Sequence, residues 1–372
     1  MQSFKKTSNN TLCRALLDLN HPADFHFFRD FITDCREKNI SLCISARQRK
    51  YLPELLNFHN LPYIKKGKWA RTLPGKLLGL FRDTLQLYLL GRKVKPDAFI
   101  SLGSPYAAIA GKLLGKTVIT FDDTDYNPFL HQIYPSLSDL ILTPECFKKS
   151  FGKKHLRFKG YKETVYLKKL AQGKEVSKEE ITGWIQTEPF VLVRFVSHHS
   201  THELGSKGLN QKEKEEVINR LRKYARVFIS SEGPLPLSLK EYELSIPFEH
   251  IHQALKKASL YFGESTTMAA EAAVLGTPSI LIENKGRGYT EDIEMRTGLL
   301  HRWPVKKWPR AIEKAMAWLE EREKLTPENV KRMDKLISET SDISSLLFWI
   351  IQNPGENVKH LKHFPEKLDE FG

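Results

Sequence analysis

Apolar and polar positions fall in blocks along the chain. Short apolar runs, Leu12 to Leu19, Ile40 to Ala46, Ala98 to Leu102, Thr117 to Asp122 and Leu140 to Thr143, alternate with stretches of helical periodicity such as Phe25 to Lys38. Near-continuous apolar runs of this length predict strands buried on both faces, and their alternation with helices predicts βαβ units and a parallel sheet. A second series opens at Phe190 with FVLVRFVS. It continues through a charged helix from Gln211 to Tyr224, RVFISSEG, a helix near His250 to Lys257, LYFGE, a helix from Ser265 to Leu275, and PSILIE. Between the two series lies the polar stretch AQGKEVSKEE, which reads as linker or exposed helix. The expected architecture is α/β: two doubly wound Rossmann-type domains facing a central cleft. The expected boundaries are 11–170 for the first domain, 185–345 for the second, and 346–372 for a C-terminal tail or helix. The segment 72–93, TLPGKLLGLFRDTLQLYLLGRK, is apolar nearly all round and reads as a core helix; its basic ends leave open a surface that docks on an anionic bilayer.

Composition narrows this picture only in part. A chain of 372 residues, 41% hydrophobic, can bury two cores, and no apolar run is long enough for a transmembrane helix. The N-terminus has lysines but no apolar signal core, and the four cysteines show no CxxC spacing, so a cytoplasmic chain with reduced, buried thiols is expected. A formal charge of +14 favours an anionic partner. Basic residues cluster at Lys65, Lys66, Lys68 and Arg71, at Arg92, Lys93 and Lys95, and from Lys148 to Lys162.

The chemistry concentrates in FGESTTMAAEAAVLGTPSI, 262–280. LYFGE is a short buried strand, Ser265 is the expected N-cap of the next helix, and Gly276 with Pro278 stops it. The start of such a helix offers free N–H groups and a positive dipole end to a phosphate. Glu271 lies about 9 Å further on at 1.5 Å per residue, a reach suited to a ribose diol. It stands at the border of the packing face formed by Met268, Ala272 and Leu275.

The same block resembles the C-terminal-domain signature of GT-B glycosyltransferases and of the related UDP-N-acetylglucosamine 2-epimerases. More broadly, Leu12 to Leu300 resembles the DUF354 proteins, described as predicted GT-B-like glycosyltransferases. The residues that carry this are DLNHPADFHFF at 18–28, KPDAFISLGSPYAA at 95–108, FDDTDYN at 121–127, LVRFVS at 192–197, ISSEG at 229–233 and the block above. The resemblance implies that Gly263, Glu264, Ser265, Thr266 and Thr267 neighbour the diphosphate of a nucleotide sugar, which is substrate and not cofactor, and that Glu271 takes its ribose. It implies transfer without a metal ion, the departing charge being met by helix N–H groups and basic side chains.

The loop DLNHPADFHFF follows the first strand, placing His21, Asp24 and His26 at the carboxyl end of the sheet, where open α/β folds bind ligands. A histidine there can act as general base, with Asp24 or Asp18 fixing its tautomer. His26 ranks first because the resemblance places a histidine before the paired phenylalanines. FDDTDYN brings Asp122, Asp123 and Asp125 to the same edge as binders of acceptor hydroxyls, a divalent ion being the competing idea. Ser104, in GSP, ends a strand in small residues that let a ligand approach the backbone. Arg194, with His198, His199 and His202 in the loop beyond it, is placed to meet phosphate or donor sugar.

The expectation is therefore a glycosyltransferase using a UDP-sugar donor and a saccharide or lipid-linked acceptor of surface-polysaccharide or glycolipid assembly. It has no nucleic-acid partner, and peripheral contact with the inner face of an anionic membrane is its one membrane expectation. One rival is an epimerase or hydrolase acting on UDP-N-acetylglucosamine, against which the chain lacks the T-E-R-P segment usual there. A second is a non-catalytic binder of an anionic polymer, against which no basic stripe interleaves with aromatics.

Overall fold

The computed structural model describes residues 14–49, 51–68, 73–125, 127–174, 189–196, 208–231 and 234–372. Seven strands, β1 (Ala15–Leu19), β2 (Leu42–Gln48), β3 (Ile64–Lys68), β4 (Ala98–Leu102), β5 (Thr117–Phe121), β6 (Leu140–Pro144) and β7 (His155–Phe158), form one parallel sheet in the order β3-β2-β1-β4-β5-β6-β7. Five more, β8 (Phe190–Phe195), β9 (Arg226–Ser231), β10 (Leu260–Gly263), β11 (Ser279–Ile282) and β12 (Leu300–Trp303), form a second parallel sheet in the order β12-β11-β10-β8-β9. The central strands are the apolar runs of the sequence. In β1 every residue is buried, Asp18 included, because helices cover both faces of a parallel sheet.

The chain divides into two compact units, 1–159 with 341–372, and 160–340. The expected boundaries at 170 and 346 both move, for the same reason: an amphipathic helix belongs with the core its apolar side covers. Helix Lys162–Ala171 buries Tyr166, Leu167 and Leu170 within the second unit, where the Tyr166 hydroxyl donates to Glu271. The C-terminal segment is no tail of the second domain. Its helix Ile343–Gln352 packs on helix Pro22–Glu37 of the first unit, with Ser344 donating to Asp34 and the Lys38 ammonium 3.7 Å from the Phe348 ring centre.

Helix Leu73–Val94 departs from the core reading. Its inward side includes Asp83, Thr84 and Leu87, but Leu78, Phe81, Leu85 and Leu89 stand in solvent. Of the basic clusters, the one at residues 65 to 71 is also reinterpreted, since Lys66 is wholly buried in an ion pair with Asp18. Among the cysteines described, Cys35 is buried while Cys43 and Cys146 are half-buried, and burial pushes the Cys35 thiol up to about 12, which leaves it unreactive.

Candidate functional site

In the second unit, β8 lies between β9, which follows it in sequence, and β10, which is reached by a crossover. The order of strands reverses there, and ligands of open α/β sheets bind outside the carboxyl ends of strands at such a point. Helix Thr266–Val274 starts at that place. Ser265 is its N-cap, accepting from the Met268 N–H at 3.4 Å, and the helix ends at Leu275 with Gly276 at φ 86°, a left-handed turn suited to glycine. Ser265, Thr267 and Met268 remain half-exposed around the helix start.

Glu271 differs from its expected border position. It is only 6% exposed, and its Oε1 accepts from the Tyr166 hydroxyl at 2.7 Å and the His252 Nε2 at 3.1 Å. Burial alone would raise its pKa, but His252, the two hydrogen bonds and the Lys162 charge outweigh it and hold the carboxyl below the ordinary value. The group is therefore an anion. Among the described residues no donor reaches its Oε2.

The neighbours of Glu271 have structural duties that the sequence motif does not announce. A Cβ on Gly263 would sit 2.5 Å from the Arg194 carbonyl oxygen and 3.0 Å from its nitrogen, so the glycine is what lets β10 pack beside β8. Glu264 spends both oxygens on the chain, accepting from Val196 N–H at 3.0 Å and Leu209 N–H at 2.6 Å. It thus ties together the two ends of segment 197–207, and the histidines His198, His199 and His202 lie outside the described residues. The Thr266 hydroxyl donates to Glu283 at 3.3 Å, and burial raises the Glu283 pKa. Arg194 donates from Nη1 to the Ser230 hydroxyl at 2.7 Å.

In the first unit the corresponding reversal lies between β1 and β4, and there a buried polar network sits at the strand ends. Asp18 accepts from Lys66, from the Ser45 hydroxyl, from Asn20 Nδ2 at 2.9 Å and from the Ser104 hydroxyl at 2.6 Å. Arg47 pairs with Asp83 at 2.6 Å and donates from Nε to Asn20 Oδ1 at 3.2 Å. Burial would raise the Asp18 pKa, yet the Lys66 ammonium and the Ser104 and Ser45 hydroxyls hold it below the ordinary value. Ser104 is also the N-cap of helix Pro105–Leu113, so its hydroxyl is committed within the protein and its role as an acceptor-binding group loses support.

His21 is the N-cap of helix Pro22–Glu37, its Nδ1 accepting from Ala23 N–H at 3.2 Å, and Asp24 completes the capping box by accepting from His21 N–H at 3.1 Å and Asn20 N–H at 2.7 Å. A neutral imidazole accepting at Nδ1 carries its proton on Nε2, and that tautomer offers no second lone pair. His21 in this cap cannot take a proton without breaking it. The hydrogen bonds of the Asp18 carboxylate among the described residues go to Lys66, Ser45, Asn20 and Ser104 and not to a loop histidine. His26 is half-exposed, like Arg29 and Asp30, and its ring lies against that of the buried Phe25, with ring centres 5.7 Å apart.

Asp122 is enclosed: it accepts from His131 Nε2 at 2.8 Å, from Thr124 N–H at 2.9 Å and from the Tyr134 hydroxyl. Lys149 Nζ in turn lies 2.9 Å from His131 Nδ1, completing a chain of lysine, histidine and aspartate. Asp125 accepts from Lys148 N–H at 2.7 Å, and Asp123 is half-exposed. Among the described residues no group of three His, Cys, Asp or Glu side chains is arranged to hold a metal ion. Sequence reasoning missed His131, Lys149, Tyr166 and His252. His252 and Tyr166 recur beside Glu271 only through folding, with no local motif to mark them.

The two units are each Rossmann-like, and together they define a GT-B-like α/β fold. The family "Protein of unknown function (DUF354)" matches residues 14–286, and the chain belongs to it. An uncharacterised protein of Methanocaldococcus jannaschii is 23% identical over 274 residues, which span 71% of this chain and 80% of that one. Among solved structures, a putative UDP-N-acetylglucosamine 2-epimerase from Listeria monocytogenes superposes with a TM-score of 0.66 at 13% identity, covering 91% of this chain and 95% of that chain. The spinosyn rhamnosyltransferase SpnG, complexed with spinosyn aglycone, superposes with a TM-score of 0.52 at 11% identity over 90% of this chain and 99% of that chain.

Proposed function

We propose that this protein is a metal-independent glycosyltransferase of the GT-B type, which moves a sugar from a UDP-linked donor to a saccharide or lipid-linked acceptor. The donor binds the second unit and the acceptor the first. Glu271 is the observation that carries the reading: an ionised, buried carboxylate with one oxygen held by Tyr166 and His252 and the other without a donor among the described residues. It stands about 9 Å along a helix whose N-terminus opens at the strand reversal, so a diphosphate at the helix start brings ribose hydroxyls to it. Ser265 and Thr267 flank that start, and Arg194 lies on the adjacent strand. His26 is the candidate base, because it is half-exposed and His21 is committed to its cap.

A thermal-shift panel of uridine, guanosine, cytidine and thymidine diphosphates tests the donor half. A ligand at a hundred times its dissociation constant adds about 2.7 kcal/mol, which raises the melting temperature of a unit this size by roughly 5 to 10 °C. No shift with any of them would remove the nucleotide reading. The resemblance to an epimerase favours a second reading, isomerisation or hydrolysis of UDP-N-acetylglucosamine. Incubation with that compound alone separates the two, since a transferase leaves it largely intact until an acceptor is added.

A further inference from the structure

Helix Leu73–Val94 presents to solvent a side that a soluble protein has no reason to keep. Leu78 is 70% exposed, Phe81 70%, Leu85 44% and Leu89 56%. At 100° per residue these four fall on one stripe, and from Leu78 to Leu89 the stripe runs about 16 Å. Scattered apolar residues on a surface need no explanation, but four aligned on one helix face form a patch.

The polar residues of the same helix fix what the patch meets. Arg92 and Lys93 are exposed and fall within the same arc of about 120° as the apolar four; Arg82 shares the arc, but its guanidinium is turned back onto Asp83. The only carboxylate in the helix, Asp83, is turned the other way, fully buried against Arg47, with Arg82 also pairing to it. The exposed side therefore carries leucines, a phenylalanine and cations but no anion. A partner protein surface of mixed charge does not demand that combination. An anionic bilayer does, since acyl chains take the apolar side chains while acidic headgroups take the cations. The chain as a whole, at +14, is drawn to the same surface.

We infer that this face is a membrane-docking surface, lying in the plane of an anionic bilayer with Leu78, Phe81, Leu85 and Leu89 inserted at the headgroup boundary. No helix among the described residues is long and apolar enough to cross a membrane, so the contact is peripheral. The inference does not depend on the sugar-transfer reading, because it rests on a helix remote in sequence from the residues argued to bind nucleotide.

Flotation of the full chain on vesicles tests it. Wild-type protein should float with phosphatidylglycerol–phosphatidylcholine vesicles at 0.1 M salt and be largely released in 0.5 M salt or on pure phosphatidylcholine. Replacing Leu78, Phe81, Leu85 and Leu89 together by glutamine, a good helix former, should lower partitioning at least about tenfold with an unchanged melting temperature. The Arg92→Gln, Lys93→Gln pair should lower it by about fivefold per cation on the anionic vesicles alone. Equal flotation of the fourfold variant, or no flotation of the wild type, would overturn the inference. So would a concentration-dependent dimer in sedimentation equilibrium that the fourfold variant abolishes, because the face would then belong to a second copy of the chain.

Discussion

Glu271→Gln and Glu271→Ala should separate two roles that the carboxylate combines. In the wild type, Oε1 accepts from both Tyr166 and His252, and Tyr166 is itself almost wholly buried. Alanine leaves both donors facing a void. An unsatisfied buried donor costs about 1 to 3 kcal/mol, so the pair predicts a loss of roughly 2 to 6 kcal/mol. For a unit of this size that lowers the melting temperature by about 5 to 20 °C. Glutamine keeps a carbonyl oxygen that can accept from both partners, so its stability cost should stay near 1 kcal/mol. Its amide nitrogen, however, replaces the oxygen left for a ligand, and a donor then meets the ribose hydroxyls. Loss of charged hydrogen bonds worth roughly 1.5 to 3 kcal/mol predicts a 10- to 150-fold rise in the Kd for UDP. Melting curves and titration calorimetry on the same preparations supply both numbers. If glutamine destabilises as much as alanine, the trio is purely structural; if glutamine binds UDP as the wild type does, the ribose role fails even with the fold intact.

Four further outcomes are expected. Gly263→Ala should cost about 1 to 3 kcal/mol in urea unfolding, because its methyl group would press on the Arg194 backbone, which cannot swing away, as well as on the buried Tyr261 hydroxyl; an unchanged midpoint would show that the two strands can part freely. His155 accepts Phe151 N–H at Nδ1 and bonds Thr143 through Nε2, and burial lowers its pKa from 6.5 to about 4. The unfolded chain then binds the extra proton first, so its contribution is complete above pH 6.5 and is lost as pH falls toward 4, by about 2 kcal/mol after solvent screening. His155→Gln should flatten that slope, and parallel curves for variant and wild type would count against it. His26→Ala should depress turnover by about 10² to 10⁴ with UDP affinity unchanged, and full activity would place the base elsewhere. Transfer activity, once assayed, should persist in EDTA; loss with rescue by Mg²⁺ would return Asp123 and Asp125 to consideration as ligands.

The central strands were legible because a strand buried on both faces must be apolar along its length, as ALLDL, AFISL and LYFG are. The strands that the pattern does not reveal are β3, β7 and β12, and each is an edge of its sheet. An edge strand has one neighbour and tolerates lysines that discourage further pairing, so IKKGK looks like a basic cluster. The site divides in the same way. Ser265 as N-cap and Gly276 as stop follow from local backbone chemistry and are found as expected. The partners of Glu271 are not local: Tyr166 is 105 residues away and His252 is 19, and no spacing rule connects them. The exposed side of helix Leu73–Val94 was hidden because the usual contrast is inverted: Asp83 and Thr84 are buried while Leu78, Phe81, Leu85 and Leu89 face solvent.

The second unit begins at Gly160 and ends at Thr340, and these two ends touch: a Cβ on Gly160 would lie 2.8 Å from the Thr340 methyl carbon. Just outside them, Ser341 N–H donates to the Lys159 carbonyl at 3.0 Å. The unit is thus an insertion in the first, and the order of synthesis acquires a meaning. When the ribosome has made 159 residues, the first sheet is complete in sequence, but helix Pro22–Glu37 still lacks the cover that Ile343–Gln352 provides. The inserted unit has all its parts about 180 residues later, before the first has any of its closing helices. A nascent chain should therefore protect 160–340 from protease before it protects 14–159, with the earlier-made half of the protein the last to finish folding.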